Sequence, residues 1–277
     1  MKMKKKSDSQ KEFGYKLMRP FVTFKFKNKY HPVVFGKNNI PETGGIVVCG
    51  NHRHVDDQYN ALMATKRVVH MLAKDEYFKG KKEWFYRAAG CIPVDRSIHD
   101  ENAKSEAREI LNNKGAIGLF PEGTRNEVTS KEAEIDKVAK ILGISHDEVL
   151  DKLKDKCTRT TQVNLLIELS NSHKITKDEL KEYILDPDES LLKLLKKKII
   201  TKDEYKESLL LPFKFGAVSL AKKTGSLIVP YATIGNYNGE RDQLITRIGS
   251  PIDVSNMELE DANKLLREKI IELMQKI

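Results

Sequence analysis

The chain has 277 residues, 39% hydrophobic and 32% charged, enough apolar side chains for one large α/β core or two domains. Its three cysteines, Cys49, Cys91 and Cys157, are too few and too scattered for a disulfide framework or a zinc site, and point to a reducing, cytosolic setting. No apolar run approaches the roughly 18–20 residues of a membrane-spanning helix, and no stretch reads as a cleavable signal peptide.

The formal net charge of +9 is concentrated at one end. Residues 1–30 hold ten Lys/Arg against Asp8 and Glu12, nearly the whole excess. Phe13, Tyr15, Leu17, Met18, Phe21, Val22, Phe24 and Phe26 alternate with these cations. Such a mixture suits the interface of an anionic membrane, where each lysine is worth about 1 kcal/mol. The stretch therefore reads as a basic amphipathic membrane-contacting arm, in which Pro20 should interrupt or kink a helix. A packed helix with a solvated basic face is the plainer alternative. No nucleic-acid-binding motif accompanies the charge.

Residues 36–45 form a loop rich in Gly, Asn and Pro. Ile46, Val47, Val48 and Cys49 follow as a short apolar run between glycine turns, the pattern of a buried strand that stops abruptly. Just past it stand His52, His54, Asp56 and Asp57. A neutral imidazole can take a proton from a hydroxyl, and a carboxylate beside it fixes the tautomer and stabilises the imidazolium. His52 and Asp57 suit these roles, because the helix expected over Gln58–Thr65 brings the carboxylate back beside the ring. Two readings compete. His52-x-His54-x-Asp56 resembles the metal site of metallo-β-lactamase-fold hydrolases, although Asp57 stands where they have a further histidine. A satisfied loop histidine beside a helix-starting aspartate is the other.

Val68–Ala73 is a second strand, followed by Lys74. A helix with Trp84, Phe85 and Tyr86 leads to Gly90-Cys91-Ile92-Pro93-Val94-Asp95-Arg96, whose glycine and proline exclude a regular helix. Asp100 caps a helix reaching Asn113, and Ala116–Phe120 is a third strand. It runs into Phe120-Pro121-Glu122-Gly123-Thr124-Arg125. A tight glycine turn with a hydroxyl and a guanidinium suits a phosphate monoester, since backbone amides and Thr124 donate and Arg125 binds two oxygens at once. Glu122 would steady Arg125 or touch a substrate hydroxyl. Taken alone, the segment also fits an ordinary surface turn with an ion pair.

Residues 126–208 contain three Ser/Thr-x-x-Glu capping boxes, at Ser145–Glu148, Thr176–Glu179 and Thr201–Glu204, each marking a helix start. Four to six helices are expected there. Beyond them Phe213–Lys223 is a helix closed by Gly225, Leu227–Ala232 and Leu244–Ile248 are strands, and Ser255-Asn256-Met257-Glu258 begins the last helix.

Asn51-His52-x4-Asp57, Gly90-x-Ile92-x3-Arg96, Phe120-Pro121-Glu122-Gly123-Thr124-Arg125 and Ile228-Val229-Pro230 occur in the order found in the glycerolipid acyltransferase family. Over roughly residues 10–125 and 209–250 the chain resembles that family's bacterial 1-acyl-sn-glycerol-3-phosphate (lysophosphatidic acid) acyltransferases. The resemblance implies an α/β fold, a central mixed sheet flanked by helices, built from residues 31–125 and 209–277. The all-helical insertion 126–208 replaces a short loop and reads as a packed lid or spacer, or as a module for a protein partner.

The resemblance also implies transfer of a fatty acyl group from acyl-carrier protein or acyl-CoA to the sn-2 hydroxyl of lysophosphatidic acid. Glycerol 3-phosphate or a lysophospholipid is the alternative acceptor. His52 and Asp57 would be catalytic. Lys74, Arg96, Glu122, Gly123, Thr124 and Arg125 would hold the acceptor phosphate, and Pro230 would shape the acyl pocket. No acyl-enzyme, metal or cofactor is required by this chemistry. The protein would lie peripherally on the cytoplasmic face of the cell membrane, with no nucleic-acid partner. A non-catalytic membrane adaptor, whose insertion recruits a partner, is the rival from another class.

Overall fold

The computed structural model describes residues 8–95, 97–98 and 100–275. Among them, aliphatic runs bounded by turn formers become seven strands: β1 (Val33–Phe35), β2 (Ile46–Gly50), β3 (Val69–Lys74), β4 (Ile92–Val94), β5 (Ala116–Leu119), β6 (Leu227–Ile234) and β7 (Ile245–Ile248). They form one sheet in the order β1-β7-β6-β2-β5-β3-β4. The run from β6 to β4 is parallel, and the β6–β7 pair is antiparallel, so the sheet is mixed.

The helices are α1 (Asp8–Tyr30), α2 (Gln58–Ala64), α3 (Glu83–Ala88), α4 (Glu101–Asn112), α5 (Glu132–Leu142), α6 (His146–Leu153), α7 (Thr160–Asn171), α8 (Lys177–Tyr183), α9 (Pro187–Lys196), α10 (Lys202–Glu207), α11 (Gly216–Thr224) and α12 (Leu259–Met274). Strand β2 is buried along its length and feeds both faces of the sheet. Val47 and Cys49 join Ala107, Leu111, Ala217, Ala221 and Leu266 on the side of α4, α11 and α12. Ile46 and Val48 join Tyr15, Ala61 and Leu62 on the side of α1 and α2. This alternation is the two-residue period of a strand covered on both faces.

Helix α1 runs through Pro20 as one element, where an interruption or kink was expected. An interior proline costs about 3 kcal/mol. Burying Tyr15, Phe26 and Tyr30 offsets this, at roughly 1.5–3 kcal/mol for a large apolar side chain. Around the proline, the Thr23 hydroxyl donates to the Arg19 carbonyl at 2.7 Å, and the Arg19 guanidinium donates to the carbonyls of Leu62 (3.1 Å) and Thr65 (2.7 Å). The opposite face of α1 is bare: Phe13, Leu17, Phe21 and Phe24 are 65–71% exposed. Lys2, Lys4, Lys5 and Lys6 of the basic arm lie outside the described residues.

Helices α5 to α10 enclose a core of their own, including Ile135, Val138, Val149, Leu153, Leu166, Leu191 and Leu194. All three capping boxes are formed, with each Ser or Thr accepting from the Glu amide three residues on. The last helix begins at Leu259, later than Ser255, because the Ser255 amide and hydroxyl both donate to Asp253 (2.9 and 2.6 Å) and hold a turn there.

Candidate active site

Parallel α/β sheets present their ligands at the carboxyl ends of the strands. At that end of β2 the chain is tied down on several sides. The Asn51 side chain accepts from the Thr233 amide (2.7 Å) and donates to its carbonyl (2.9 Å), pinning the loop to β6. The buried Arg53 guanidinium donates to the carbonyls of Thr233 (3.1 Å) and Gly235 (2.9 Å). From the segment leading into α5, the Asn126 amide donates to the His52 carbonyl at 2.7 Å.

This frame holds His52 and Asp57 together, Nδ1 to Oδ2, at 3.0 Å. Asp57 is fully buried and surrounded by donors. The amides of Arg53 (2.5 Å) and His54 (2.7 Å) reach Oδ2, and the Tyr237 hydroxyl donates to Oδ1. Tyr237 in turn accepts from Asn60 Nδ2 (2.8 Å), and Asn60 Oδ1 accepts from the Thr246 hydroxyl (3.0 Å). Burial alone would raise the Asp57 pKa, but His52 and these donors outweigh it and hold the carboxyl below its usual range. An ionised carboxylate only accepts, so His52 Nδ1 carries the proton and Nε2 is the basic nitrogen. The His52 ring stacks flat on Phe120, 4.0 Å between centroids and 8° from parallel.

His52 opens onto a cavity of about 440 Å³ beneath α1. Its lining combines Lys74, Lys82, Thr124 and Arg125 with the apolar Met18, Val22, Leu62, Met71 and Ala89; Lys82 and Thr124 are exposed, whereas Leu62 and Met71 are buried. Lys74, Thr124 and Arg125 thus share one space with His52. Gly123 does not line that cavity; it lies at a neighbouring groove under the side chain of Lys214. Arg96 lies outside the described residues.

Two sequence-based assignments change. Glu122 was expected beside the substrate, yet it is only 3% exposed, and its oxygens accept from the amides of His52 (2.7 Å) and Leu211 (2.9 Å). It ties the loop bearing His52 to the chain leaving α10, because two partly buried amides there need an acceptor. Burial pushes its pKa up to about 7, against those two amide bonds. Pro230 was expected at the acyl pocket. It lies inside β6, in register with Cys49 and accepting from the Gly249 amide at 2.9 Å, and borders neither the cavity nor the groove.

Of the rival metal triad, His54 Nδ1 and Asp56 Oδ2 lie 4.0 Å apart, while His52 Nδ1 is engaged by Asp57. His54 stacks on Tyr237 with 4.0 Å between centroids, and Asp56 accepts from the Tyr30 hydroxyl at 2.8 Å. Among the described residues, no group of three or more His, Cys, Asp or Glu is placed to hold a metal ion.

The family model described as Acyltransferase matches residues 31–234, well over half of the chain. The chain belongs to the acyltransferase family. The fold of this acyltransferase is similar to the crystal structure of the 1-acyl-sn-glycerophosphate (LPA) acyltransferase PlsC from Thermotoga maritima. That superposition covers 98% of this chain and 82% of the other, with a TM-score of 0.56 and 17% sequence identity, a likeness of fold. No curated protein matches the sequence.

Several of the acyltransferase's site residues were not picked out from the sequence: Tyr237, Asn60, Thr246 and the stacking role of Phe120. The available signal for Tyr237 was a large aromatic set between turn formers, in Gly235-Asn236-Tyr237-Asn238-Gly239.

Proposed function

We propose that this acyltransferase moves a fatty acyl group from a thioester donor, acyl-carrier protein or acyl-CoA, to the sn-2 hydroxyl of lysophosphatidic acid, giving phosphatidic acid. One observation carries the reading: the His52–Asp57 pair opens into a cavity whose lining combines cationic and apolar side chains. Acceptor phosphate against the cations and an alkyl chain against the apolar lining would leave the reacting groups beside the imidazole.

His52 Nε2 takes the proton of the acceptor hydroxyl, and its oxygen attacks the thioester carbonyl. The carbon–sulfur bond breaks, and the imidazolium returns the proton to the departing thiolate. General-base assistance of this kind contributes about 10²–10⁴-fold, and holding both substrates in place supplies much of the remainder. Asp57 keeps the proton on Nδ1 and stabilises the imidazolium. Lys74, Thr124 and Arg125 bind the acceptor phosphate. Neither an acyl-enzyme nor a cofactor enters this sequence.

The same reading places the protein peripherally on the cytoplasmic membrane face. Phe13, Leu17, Phe21 and Phe24 recur at helical spacing on one exposed face of α1, and Trp84 is 67% exposed. Met18 and Val22 of the same helix line the cavity, so the anchoring helix also forms one wall of the site. No helix among the described residues is long and apolar enough to cross a membrane. The test is transfer by the purified protein from acyl-CoA and acyl-carrier protein to lysophosphatidic acid, glycerol 3-phosphate and lysophosphatidylcholine, with products identified by mass. Lysophosphatidic acid should be preferred by at least about tenfold in kcat/KM, about 1.4 kcal/mol in transition-state binding. Preference for another acceptor would reassign the substrate.

A further inference from the structure

Phe120 borders two spaces. It stacks on His52 at the cavity beneath α1, and with Leu72 it also borders a separate groove on the α4–α11 side of the sheet. That groove encloses about 620 Å³, and Val94, Ala103, Leu119, Ala217 and Leu220 make its walls apolar. None of them belongs to the His52–Asp57 pair or its supports.

The head of the groove is cationic. A Cβ on Gly123 would come within 2.8 Å of Lys214 Cε and 3.1 Å of its Nζ, so the lysine lies across the turn that carries Thr124 and Arg125. Its position is fixed from below, since the Lys214 amide donates to the Pro121 carbonyl at 2.9 Å. Lys104, Arg108 and Lys223 also border the groove, against Asp95 and Asp100. Both acids are already engaged, Asp95 by Ser97 and Asp100 as the cap of α4. An apolar trough with a cation at its head fits a single-chain amphiphile with an anionic headgroup.

Chains on neighbouring glycerol carbons are accommodated by two apolar routes that diverge from one reacting point. The space beneath α1 is one, and the α4–α11 groove is the other. We infer that the groove binds the acyl chain already carried by the acceptor, with the acceptor phosphate at the turn between Lys214 and Arg125, while the cavity beneath α1 takes the donor's chain. This inference rests on the lysophosphatidic acid reading and extends it to a chain-bearing acceptor site.

Filling the groove tests it. Ser219 lines it from α11, and a Cβ on Gly216 meets nothing within 4 Å, so Ser219→Trp and Gly216→Leu are two independent obstructions, the second sterically mild. Binding of palmitoyl- and hexanoyl-lysophosphatidic acid, below their micelle concentrations, is measured by calorimetry on the full chain, alongside the KM for acyl-CoA. Each buried methylene is worth roughly fourfold in affinity, so displacing two should weaken the palmitoyl ligand about 15-fold. The hexanoyl ligand should change less than about twofold, and the acyl-CoA KM should hold. Equal weakening of both ligands, a rise confined to the acyl-CoA KM, or no change in either variant would overturn the inference. The two readings fail separately. If the wild-type protein makes no product but shows this chain-length-dependent binding, the groove stands and acyl transfer falls. If product forms and affinity ignores chain length, the groove falls alone.

Discussion

The Tyr237 hydroxyl donates to Oδ1 of Asp57, while Oδ2 of the same carboxylate meets His52 Nδ1 at 3.0 Å. The carboxylate is therefore held from behind by a residue 180 positions away in the chain. Tyr237→Phe removes that donor and leaves Asn60 Nδ2 only its 3.3 Å contact with the Asp57 carbonyl. We expect kcat to fall about tenfold with little change in either KM, because three donors still hold Oδ2. Unfolding free energy should drop by about 1–3 kcal/mol for the two buried hydrogen bonds of the Tyr237 hydroxyl that are lost. Steady-state kinetics and urea melts check the two effects.

Arg125 lines the cavity with its guanidinium 3.6 Å from Glu127. Charge-assisted hydrogen bonds to phosphate are worth about 1.5–3 kcal/mol. Arg125→Ala should raise the acceptor KM by roughly 10- to 100-fold and leave the donor KM unchanged. A loss falling on the donor alone would move the phosphate site elsewhere.

Glu122 gives stability a pH dependence of defined sign. Its pKa is raised from 4.5 to about 7 by burial. The folded state thus holds this proton more tightly than the unfolded chain does, and the contribution is complete below about pH 4.5. It declines as pH rises toward 7 and is absent above it, a span of about 3 kcal/mol. Thermal melts from pH 4.5 to 8 should show a smaller decline in Glu122→Gln than in the wild-type protein. Identical slopes would show that Glu122 is ionised throughout.

The bare face of α1 predicts membrane contact with separable apolar and electrostatic parts. Replacing Phe13, Leu17, Phe21 and Phe24 together by serine should weaken binding to anionic vesicles at any ionic strength. Removing the cations of residues 1–30 should weaken it chiefly at low salt, because about 0.15 M salt screens exposed charges beyond about 8 Å. Flotation with vesicles at two salt concentrations separates them.

Elements with a local signature were legible in the sequence. The three capping boxes, the buried run of β2 and the helix after Asp57 each depend on side chains a few residues apart. Strand β1 was not legible: it is three residues long, and its pairing of Val33 with Ile245 has no local counterpart. The site divides the same way. His52 and Asp57 could be paired because they sit on one turn of chain. Tyr237, Thr233 and Thr246 come from the far side of the sequence, and no periodicity links them to β2. Glu122 misled because a charged residue in a glycine turn suggests a surface, and the two amides that bury it belong to residues 52 and 211.

The central claim is that His52 deprotonates the acceptor directly, and the most direct measurement is acyl transfer by His52→Ala. It is compared with the wild-type protein using lysophosphatidic acid and a thioester donor, with folding verified by circular dichroism. General-base loss predicts at least a 10²- to 10⁴-fold fall in kcat at unchanged thermal stability, with donor alone leaving the mass of the intact protein unaltered. Transfer within about tenfold of wild type, or a covalent acyl adduct on the chain, would contradict direct general-base transfer.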